Sequence, residues 1–412
     1  MLDRKSISAR RRSPLWSAAA AILFTATGVL AQTSTDPEDV INNIREIREE
    51  GLRTHLGRGL LDKLFNPLEK LQIALDEKFD LGLYAQFAPV IQATTDAETA
   101  NYTFDLFGRW DHVIKSSTWF GNGSIDLYAT SRGDDWTGTT TREFQALLGL
   151  AIPVSDNTAN GTVTSLAHFS WEQRMFDEFF ELEFGQLDPA NIWDKNNFTG
   201  YDRVSFLHKA LSANPVRPAP GPGLGFTLGL NGSRGLHLNA GMMDADANNE
   251  YPDFDSLGDS EWATFGELRL ETAEELYGKG NYRFGFQHIE ETVDGPEDTA
   301  FSFSFDQELS DGVGASFRYG NGDGNRSRVK YFLSTGLVWK QAIVSTDDWL
   351  GFGYFWSRPK ENRREYGGEI YWRIQLTRRA QLTPDVMFIR PSDGTSSGKV
   401  ETLFNLRLLI AL

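Results

Sequence analysis

Polar side chains alternate with apolar ones in several stretches of the chain, and the richest stretch is 168–174. His168, Ser170, Glu172 and Arg174 share one parity there, and Phe169 and Trp171 have the other. Other stretches supply further residues of this kind: Arg109, Asp111, Asp126, Glu181 and Glu183. Carboxylates, guanidinium groups and an imidazole on one face can exchange hydrogen bonds with a hydroxyl-rich solute, because together they donate and accept. The alternative is a set of polar residues that only pair with one another.

The same residue types could also do hydrolytic chemistry. A hydrolase would need a Ser/His pair with an orienting group, but the chain has no nucleophile motif such as G-x-S-x-G around its six histidines. A glycosidase would need two carboxylates about 5–9.5 Å apart, and Glu172 with Glu181 could form such a pair. That alternative predicts a protein that dissolves without detergent.

Composition restricts the function further. The chain carries 57 acidic and 40 basic residues, a formal charge of −17, so we expect it to repel nucleic acid. It has no cysteine, which rules out disulfides and thiol chemistry. The acidic loop 244–261 could hold Ca²⁺ or Mg²⁺, but a solvated charge run is the preferred interpretation. We therefore predict no metal site and no cofactor.

The first residues have the pattern of a secretory signal peptide. Arg4, Lys5 and 10–12 are basic, an apolar run follows at 15–30, and small side chains precede Gln32. A run that short and that rich in Ala and Thr is a poor membrane anchor. We expect cleavage after residue 31 and export from the cytoplasm.

Residues 32–78 have a helical pattern, which begins with Asp36 as N-cap and Pro37 in the first turn. Apolar residues then recur at helical spacing up to Leu71, with Pro67 as an expected break or kink. We predict a periplasmic α-helical segment in two or more pieces. It either packs against the rest of the protein or forms an oligomerisation stalk.

From about Phe79 the apolar period changes from helical to two. The stretches 101–115, 363–376 and 400–412 alternate over about 10–13 residues, which is longer than the ~5–6 residues of an average globular strand. Trp and Tyr lie towards segment ends, and no later stretch is apolar enough for a helical span. We predict an all-β fold: a transmembrane antiparallel β-barrel of about 16 strands over 79–412, with a water-filled lumen.

The connections predict which segment narrows the lumen. Tight turns such as 310–312 alternate with long polar loops, and the longest is 188–222. A Pro-rich return restricts its path, and we expect one short helix at 203–211. The loop could fold inwards, where its candidate residues are Trp193, Asp194, Lys195, Asn196 and Arg203, with His208 beside them. The alternative is an outward loop that contacts a neighbouring subunit.

Motifs within 184–230 resemble a known family. The chain reads FGQLDP at 184–189, NNF at 196–198, then FL at 206–207, AL at 210–211, NP at 214–215 and a Pro/Gly run at 218–225. A second block reads EIYW at 369–372 and LTPD at 382–385, followed by Arg390-Pro391. These blocks resemble the carbohydrate-selective outer-membrane porins, the OprB-type family. In two respects the chain departs from that family: it ends in Leu412 rather than an aromatic residue, and its N-terminal helical stretch is longer.

The resemblance implies a bacterial outer-membrane channel, not an enzyme, through which mono- or oligosaccharides diffuse passively. It implies lipid and lipopolysaccharide as surroundings, no nucleic acid, and assembly as a homotrimer. An eyelet built from some of Arg109, Glu172, Arg174 and Glu183 would then be the selective part. The competing function is a non-conducting barrel that acts as a surface adhesin or as an outer-membrane hydrolase.

Overall fold

The computed structural model describes most of the 412 residues, with gaps. The described ranges are 54–56, 60–116, 119–134, 136–155, 161–200, 203–217, 220–247, 261–272, 278–293, 295–342, 347–360, 364–391 and 399–411. The predicted signal peptide, 1–31, lies outside them, as does most of 32–59 and of the acidic loop 244–261. Among the described helices, none is long and apolar enough to cross a membrane.

Sixteen strands form one closed antiparallel barrel, as the sequence predicts. Each strand pairs with its neighbours in the chain, and β1 pairs with β16, where Gln86 lies opposite Ala411. The strands are β1 Leu81–Ala93, β2 Glu98–Lys115, β3 Asn122–Gly133, β4 Val163–Met175, β5 Phe180–Leu187, β6 Gly223–Asn231, β7 Leu236–Asp244, β8 Trp262–Thr272, β9 Gly280–Ile289, β10 Asp298–Ser310, β11 Val313–Gly322, β12 Val329–Lys340, β13 Trp349–Pro359, β14 Glu365–Thr377, β15 Ala380–Arg390 and β16 Glu401–Ala411.

The two-residue period of the sequence sets which side chains face outwards. Phe184, Phe284 and Phe404 are exposed on the outer surface, whereas polar neighbours such as Arg283 and Asn405 are buried on the inner one. Because successive strand residues point to opposite faces, a closed barrel of this pattern has an apolar exterior and a polar interior. The outer surface suits lipid.

Within the described ranges, four α-helices accompany the strands: α1 Leu60–Phe79, α2 Thr141–Leu148, α3 Pro189–Ile192 and α4 Lys209–Ser212. Helix α1 packs at one end of the barrel against β1, where the Gln72 side chain donates to the Leu83 carbonyl over 2.9 Å. We call this the helix end of the barrel and the opposite one the loop end. Connections at the helix end include the tight turns 176–179, 311–312 and 378–379; the long connections 134–162, 188–222 and 245–261 are all at the loop end.

Helix α1 continues through Pro67, so the break expected at that residue is absent from the described helix. Its Phe65 packs against a cluster of inward rings, Tyr84, Phe107 and Tyr128, on β1, β2 and β3. Its Glu69 forms an ion pair of 2.9 Å with Arg379 in the β14–β15 turn. The helix therefore contacts both the first strands and the last strands at the helix end.

Residues 54–56, which we call the strap, lie beside β14. The backbone N–H groups of His55 and Leu56 donate to the Gln375 and Leu376 carbonyls over 3.0 and 2.8 Å. The His55 ring contacts the Asp348 carboxylate at 2.9 Å. Together, the strap and α1 run from β14 to β1.

The main apolar cluster lies inside the barrel, on the wall formed by β10–β16. Two inward-folded connections cover this wall: 134–162, which contributes Phe144 and Ile152, and 188–222, which contributes Phe206 and Leu211. Wall residues of the cluster include Phe332 and Phe355. The interior is therefore part packed core and part polar lumen.

Candidate functional site

The first part of the site is an ion network on the wall formed by β2–β5. Strand register places Arg109 opposite Asp126, and Ser124 opposite Glu172. The buried Arg109 guanidinium donates to Asp111 over 2.6 Å and to Asp126 and Glu172 over 2.9 Å each. Glu172 also pairs with Arg174. Arg174 lies 3.9 Å from Glu181.

A second group on the same wall joins His168, Ser170 and Glu183. The Asp188 backbone N–H donates to His168 Nδ1 over 3.3 Å, so the neutral ring carries its hydrogen on Nε2, which lies 2.8 Å from Glu183 Oε1. The Ser170 hydroxyl donates to the same carboxylate oxygen over 2.7 Å. His168 Nε2 also lies 2.9 Å from the Ser170 hydroxyl oxygen. With its hydrogen on Nε2, the neutral ring has no free nitrogen facing the serine to take the serine proton, as a hydrolytic nucleophile requires.

The loop 188–222 folds into the barrel, in agreement with the inward alternative of the sequence analysis; we call it the constriction loop. It contacts the wall at three separated places. Arg203 pairs with Asp105 on β2 over 3.1 Å, and Asp194 pairs with Arg318 on β11 over 3.3 Å. On β14 the Glu369 carboxylate accepts the Leu207 and His208 backbone N–H groups over 2.6 and 2.9 Å. Since β2, β11 and β14 are spread around the barrel, the loop crosses the lumen.

Glycines on the inner wall make room for the apolar side chains of the constriction loop. A Cβ at Gly353 would lie 2.6 Å from Leu211 Cδ1 and 2.8 Å from Phe206 Cε1. A Cβ at Gly314 would lie 2.2 Å from the Phe198 ring. These distances are below van der Waals contact, so the wall is shaped to receive the loop.

Local hydrogen bonds fix the short turns of the constriction loop. The Asp188 side chain caps α3, and the His208 Nδ1 caps α4 by accepting the Ala210 N–H over 3.1 Å. The Asn196 side-chain oxygen accepts the Phe198 and Thr199 N–H groups over 3.1 and 3.0 Å. The predicted helix at 203–211 is wrong in extent: only 209–212 is helical there.

The predicted site residues occupy two different environments. The eight wall residues face the lumen side of β2–β5 and join the two groups described above. In the loop, Asp194, Asn196 and Arg203 hold the loop in place, and the buried Trp193 stacks on Phe265 with ring centroids 4.2 Å apart. Lys195 lies beside them with partial exposure.

Sequence reasoning did not single out the wall residues that fix the loop. Asp105, Arg318 and Glu369 each lie at an inward position of their strand. The two-residue period of the sequence predicts that inward position. Their partners are distant in the chain, and the period alone does not reveal them. In the acidic loop, Asp244 and Asp246 are described. No group of three or more His, Asp or Glu within the described ranges is arranged to hold a metal.

Comparison with known proteins shows the fold, and a family model matches the C-terminal part of the chain. The model of the "Carbohydrate-selective porin, OprB family" matches residues 292–412. The high-pH structure of Pseudomonas putida OprB has 13% sequence identity and a TM-score of 0.69, and covers 84% of this chain and 97% of that one. Its low-pH structure has 14% identity, a TM-score of 0.56, and coverages of 85% and 97%.

A mutant of the Rh. blastica porin has 8% identity and a TM-score of 0.50, with 81% of this chain and 100% of that one covered. Curated protein sequences gave no match. The structural likenesses concern the fold. The predicted resemblance is thereby confirmed: residues 292–412 match the carbohydrate-selective porins of the OprB family, and the closed barrel has the fold of a porin.

Proposed function

We propose that the protein is a porin of the bacterial outer membrane, through which mono- or oligosaccharides and similar small hydrophilic solutes diffuse passively. The observation that carries the proposal is the constriction loop, which crosses the lumen of a lipid-compatible barrel and is fixed to three parts of its wall. A loop of this kind narrows a pore.

The ion networks of β2–β5 supply the chemistry of passage. Arg174 and Glu181, which are 25% and 31% exposed, offer a guanidinium donor beside a carboxylate acceptor. They adjoin the buried Arg109–Glu172 pair, and Glu183 adds a further acceptor. A sugar hydroxyl both donates and accepts, so it can exchange places with a partner on this wall. Binding must remain weak, because a permeating solute has to leave as readily as it enters.

The surroundings of the barrel are part of the same proposal. Its apolar exterior would contact outer-membrane lipid and lipopolysaccharide, and the homotrimer stays a prediction from the family resemblance. Native mass spectrometry of the detergent-extracted protein would give the number of subunits.

The test is to measure the conductance of the purified protein in planar bilayers, with and without added sugars. We expect steady open channels whose current falls with saccharide concentration. On the same sample, a difference in gel mobility between unboiled and boiled protein shows that the barrel is folded.

An absence of conductance from folded protein would contradict the porin proposal and favour the adhesin or hydrolase. Conductance that no saccharide reduces would support a general porin and contradict a preference for carbohydrates.

A further inference from the structure

Three inward cations lie in one row across β12–β16, near the helix end of the barrel. Register pairs Lys340 with Trp349, and Trp349 with Arg373. Tyr371 pairs with Asp385 and Ile374 with Leu382, which places Thr383 opposite Arg373; Thr383 in turn pairs with Arg407. We call Lys340, Arg373 and Arg407 the cationic row. Neighbouring strands lie about 4.8 Å apart, so the three cations, which are on alternate strands, start about 10 Å apart and only their long side chains can converge.

Lys340 and Arg373 have an aromatic ring where a counter-ion would be expected. Lys340 Nζ lies 4.8 Å and Arg373 Cζ 3.7 Å from the centroid of the Trp349 ring. Among the described residues, neither cation has a carboxylate within 4.0 Å. The acidic residue in the preceding turn, Asp348, is engaged by the Gln375 N–H over 2.9 Å and by the Trp372 indole over 3.2 Å.

Donor atoms of one member of the row, and of a residue beside it, are buried without a partner. Arg373 is 5% exposed, and its Nε and Nη1 have no hydrogen-bond acceptor. Tyr371 is 1% exposed, lies two residues away on the same face, and its hydroxyl also has no partner. Buried donors in folded proteins are almost always paired, so these donors are available to an acceptor that enters the lumen.

The constriction loop closes this region from above. Phe198 of the loop lies 5.3 Å from Lys340 Nζ, and the Phe206 ring meets the Tyr371 ring edge-on at 4.9 Å. Arg407 donates to the Ser205 carbonyl over 2.7 Å. The unpaired donors therefore lie between the constriction loop and the helix end of the lumen.

We propose that the cationic row, with the Tyr371 hydroxyl, binds the oxyanion of an acidic sugar, either a carboxylate or a phosphate ester. Arginine and lysine only donate and carry full charge, so an anionic oxygen satisfies them better than a neutral hydroxyl. The inference rests on the proposed porin function, and it extends the solute class from neutral to acidic sugars.

The test compares glucuronate, glucose 6-phosphate and glucose as probes, by isothermal titration calorimetry on the detergent-solubilised full chain. We expect glucuronate or glucose 6-phosphate to bind at least about tenfold more tightly than glucose, since charged hydrogen bonds are the stronger ones. The two acidic probes distinguish a carboxylate site from a phosphate site.

Two variants locate the binding. Arg373→Gln should weaken the binding of the acidic probe about tenfold, and Tyr371→Phe should weaken it a few-fold. The affinity for glucose should change less than twofold in both variants. The matched control is Arg358→Gln, because Arg358 is an exposed residue of β13 and its loss removes the same charge. Gel mobility before and after boiling confirms that each variant is folded.

Equal affinity for acidic and neutral probes, or an Arg373→Gln protein with unchanged affinity for the acidic probe, would overturn this inference and leave the porin proposal intact. Bilayer conductance on the same samples tests the porin proposal separately. A sample that binds glucuronate but does not conduct would contradict the porin proposal and support the anion-binding site.

Discussion

At the scale of single residues, Arg109 is the clearest example of a side chain whose role depends on its neighbours. It is buried and lies between three carboxylates from three strands. A buried ion group of this kind is weak evidence for net stability, but removal of one member leaves the others uncompensated. The network is therefore sensitive to the loss of its central charge.

We predict that Arg109→Gln lowers the free energy of unfolding by about 3–5 kcal/mol and shifts the channel towards cations. Urea unfolding in detergent measures the first effect, and the reversal potential in a salt gradient measures the second. Lys115→Gln is the control, because the Lys115–Asp80 pair is exposed and worth about 1 kcal/mol or less. Similar losses in both variants would contradict the explanation.

His208 gives a prediction about pH. Burial lowers the pKa of His208 to about 3, from about 6.5 in an unfolded chain. Between these values the unfolded state binds more protons, so the stabilising effect of the neutral ring is complete above pH 6.5 and is lost as the pH falls towards 3. At pH 5 the loss is on the order of 2 kcal/mol.

We expect the wild-type melting temperature to fall between pH 7 and pH 5 by more than that of His208→Asn, since asparagine can cap α4 without titrating. His112→Asn is the control, because the His112 side chain is 40% exposed. Equal pH dependence in wild type and His208→Asn would refute the assignment.

Residue facing was predictable, whereas residue pairing was not. The parity of 168–174 correctly places His168 and Glu172 inside and Phe169 outside. The Arg203–Asp105 and Asp194–Arg318 pairs join positions far apart in the chain. They depend on how the constriction loop crosses the lumen, which no local pattern records.

At the scale of elements, β14 is the strand that fixes both inward-folded connections. Its Glu365 accepts the Ala151 and Ile152 N–H groups over 2.7 and 3.1 Å, and its Glu369 accepts those of Leu207 and His208. This also explains the error in the predicted helix 203–211. A helix across that range would need the Leu207 and His208 N–H groups for its own carbonyls, but Glu369 already takes both.

We predict that Glu369→Ala raises open-channel current and current noise, because the constriction loop loses its attachment to β14. Single-channel recording at fixed voltage measures both. Glu291→Ala is the charge-matched control, since Glu291 is exposed in a connection at the loop end. An unchanged current in Glu369→Ala would mean that the loop does not limit conductance.

The glycine positions make a second prediction at this scale. Gly353→Ala should lower the free energy of unfolding by about 1–3 kcal/mol, because Phe206 and Leu211 are buried and cannot move aside without repacking. Gly266→Ala is the matched control, because a Cβ there meets nothing within 4 Å. Equal urea midpoints for the two variants would contradict the explanation that wall glycines make room for the constriction loop.

At the scale of the whole molecule, the barrel could be predicted because every strand repeats one physical rule. Long segments of period two give the fold and the approximate strand number, and the structure has sixteen. The packed interior could not be predicted in this way, since loop residues such as Phe144 and Phe206 read as ordinary loop residues until the loops fold inwards.

The outer surface gives a prediction about membrane depth. Phe284, in the middle of β9, and Leu309, near the end of β10, are both 59% exposed. In a bilayer, Phe284→Arg should lower the free energy of unfolding by about 2–4 kcal/mol, and Leu309→Arg should lower it by about 0–1 kcal/mol. Urea-dependent refolding into lipid vesicles measures both variants, and equal costs would contradict a membrane-spanning barrel.

The strap has a consequence for the order of assembly. His55 and Leu56 bond to the backbone of β14, and Asp348, which binds the His55 ring, precedes β13. These partners lie about 300 residues later in the chain, so the strap can dock only after β13 and β14 have formed. Protection of the His55 amide from hydrogen exchange would thus mark the formation of these two strands during assembly.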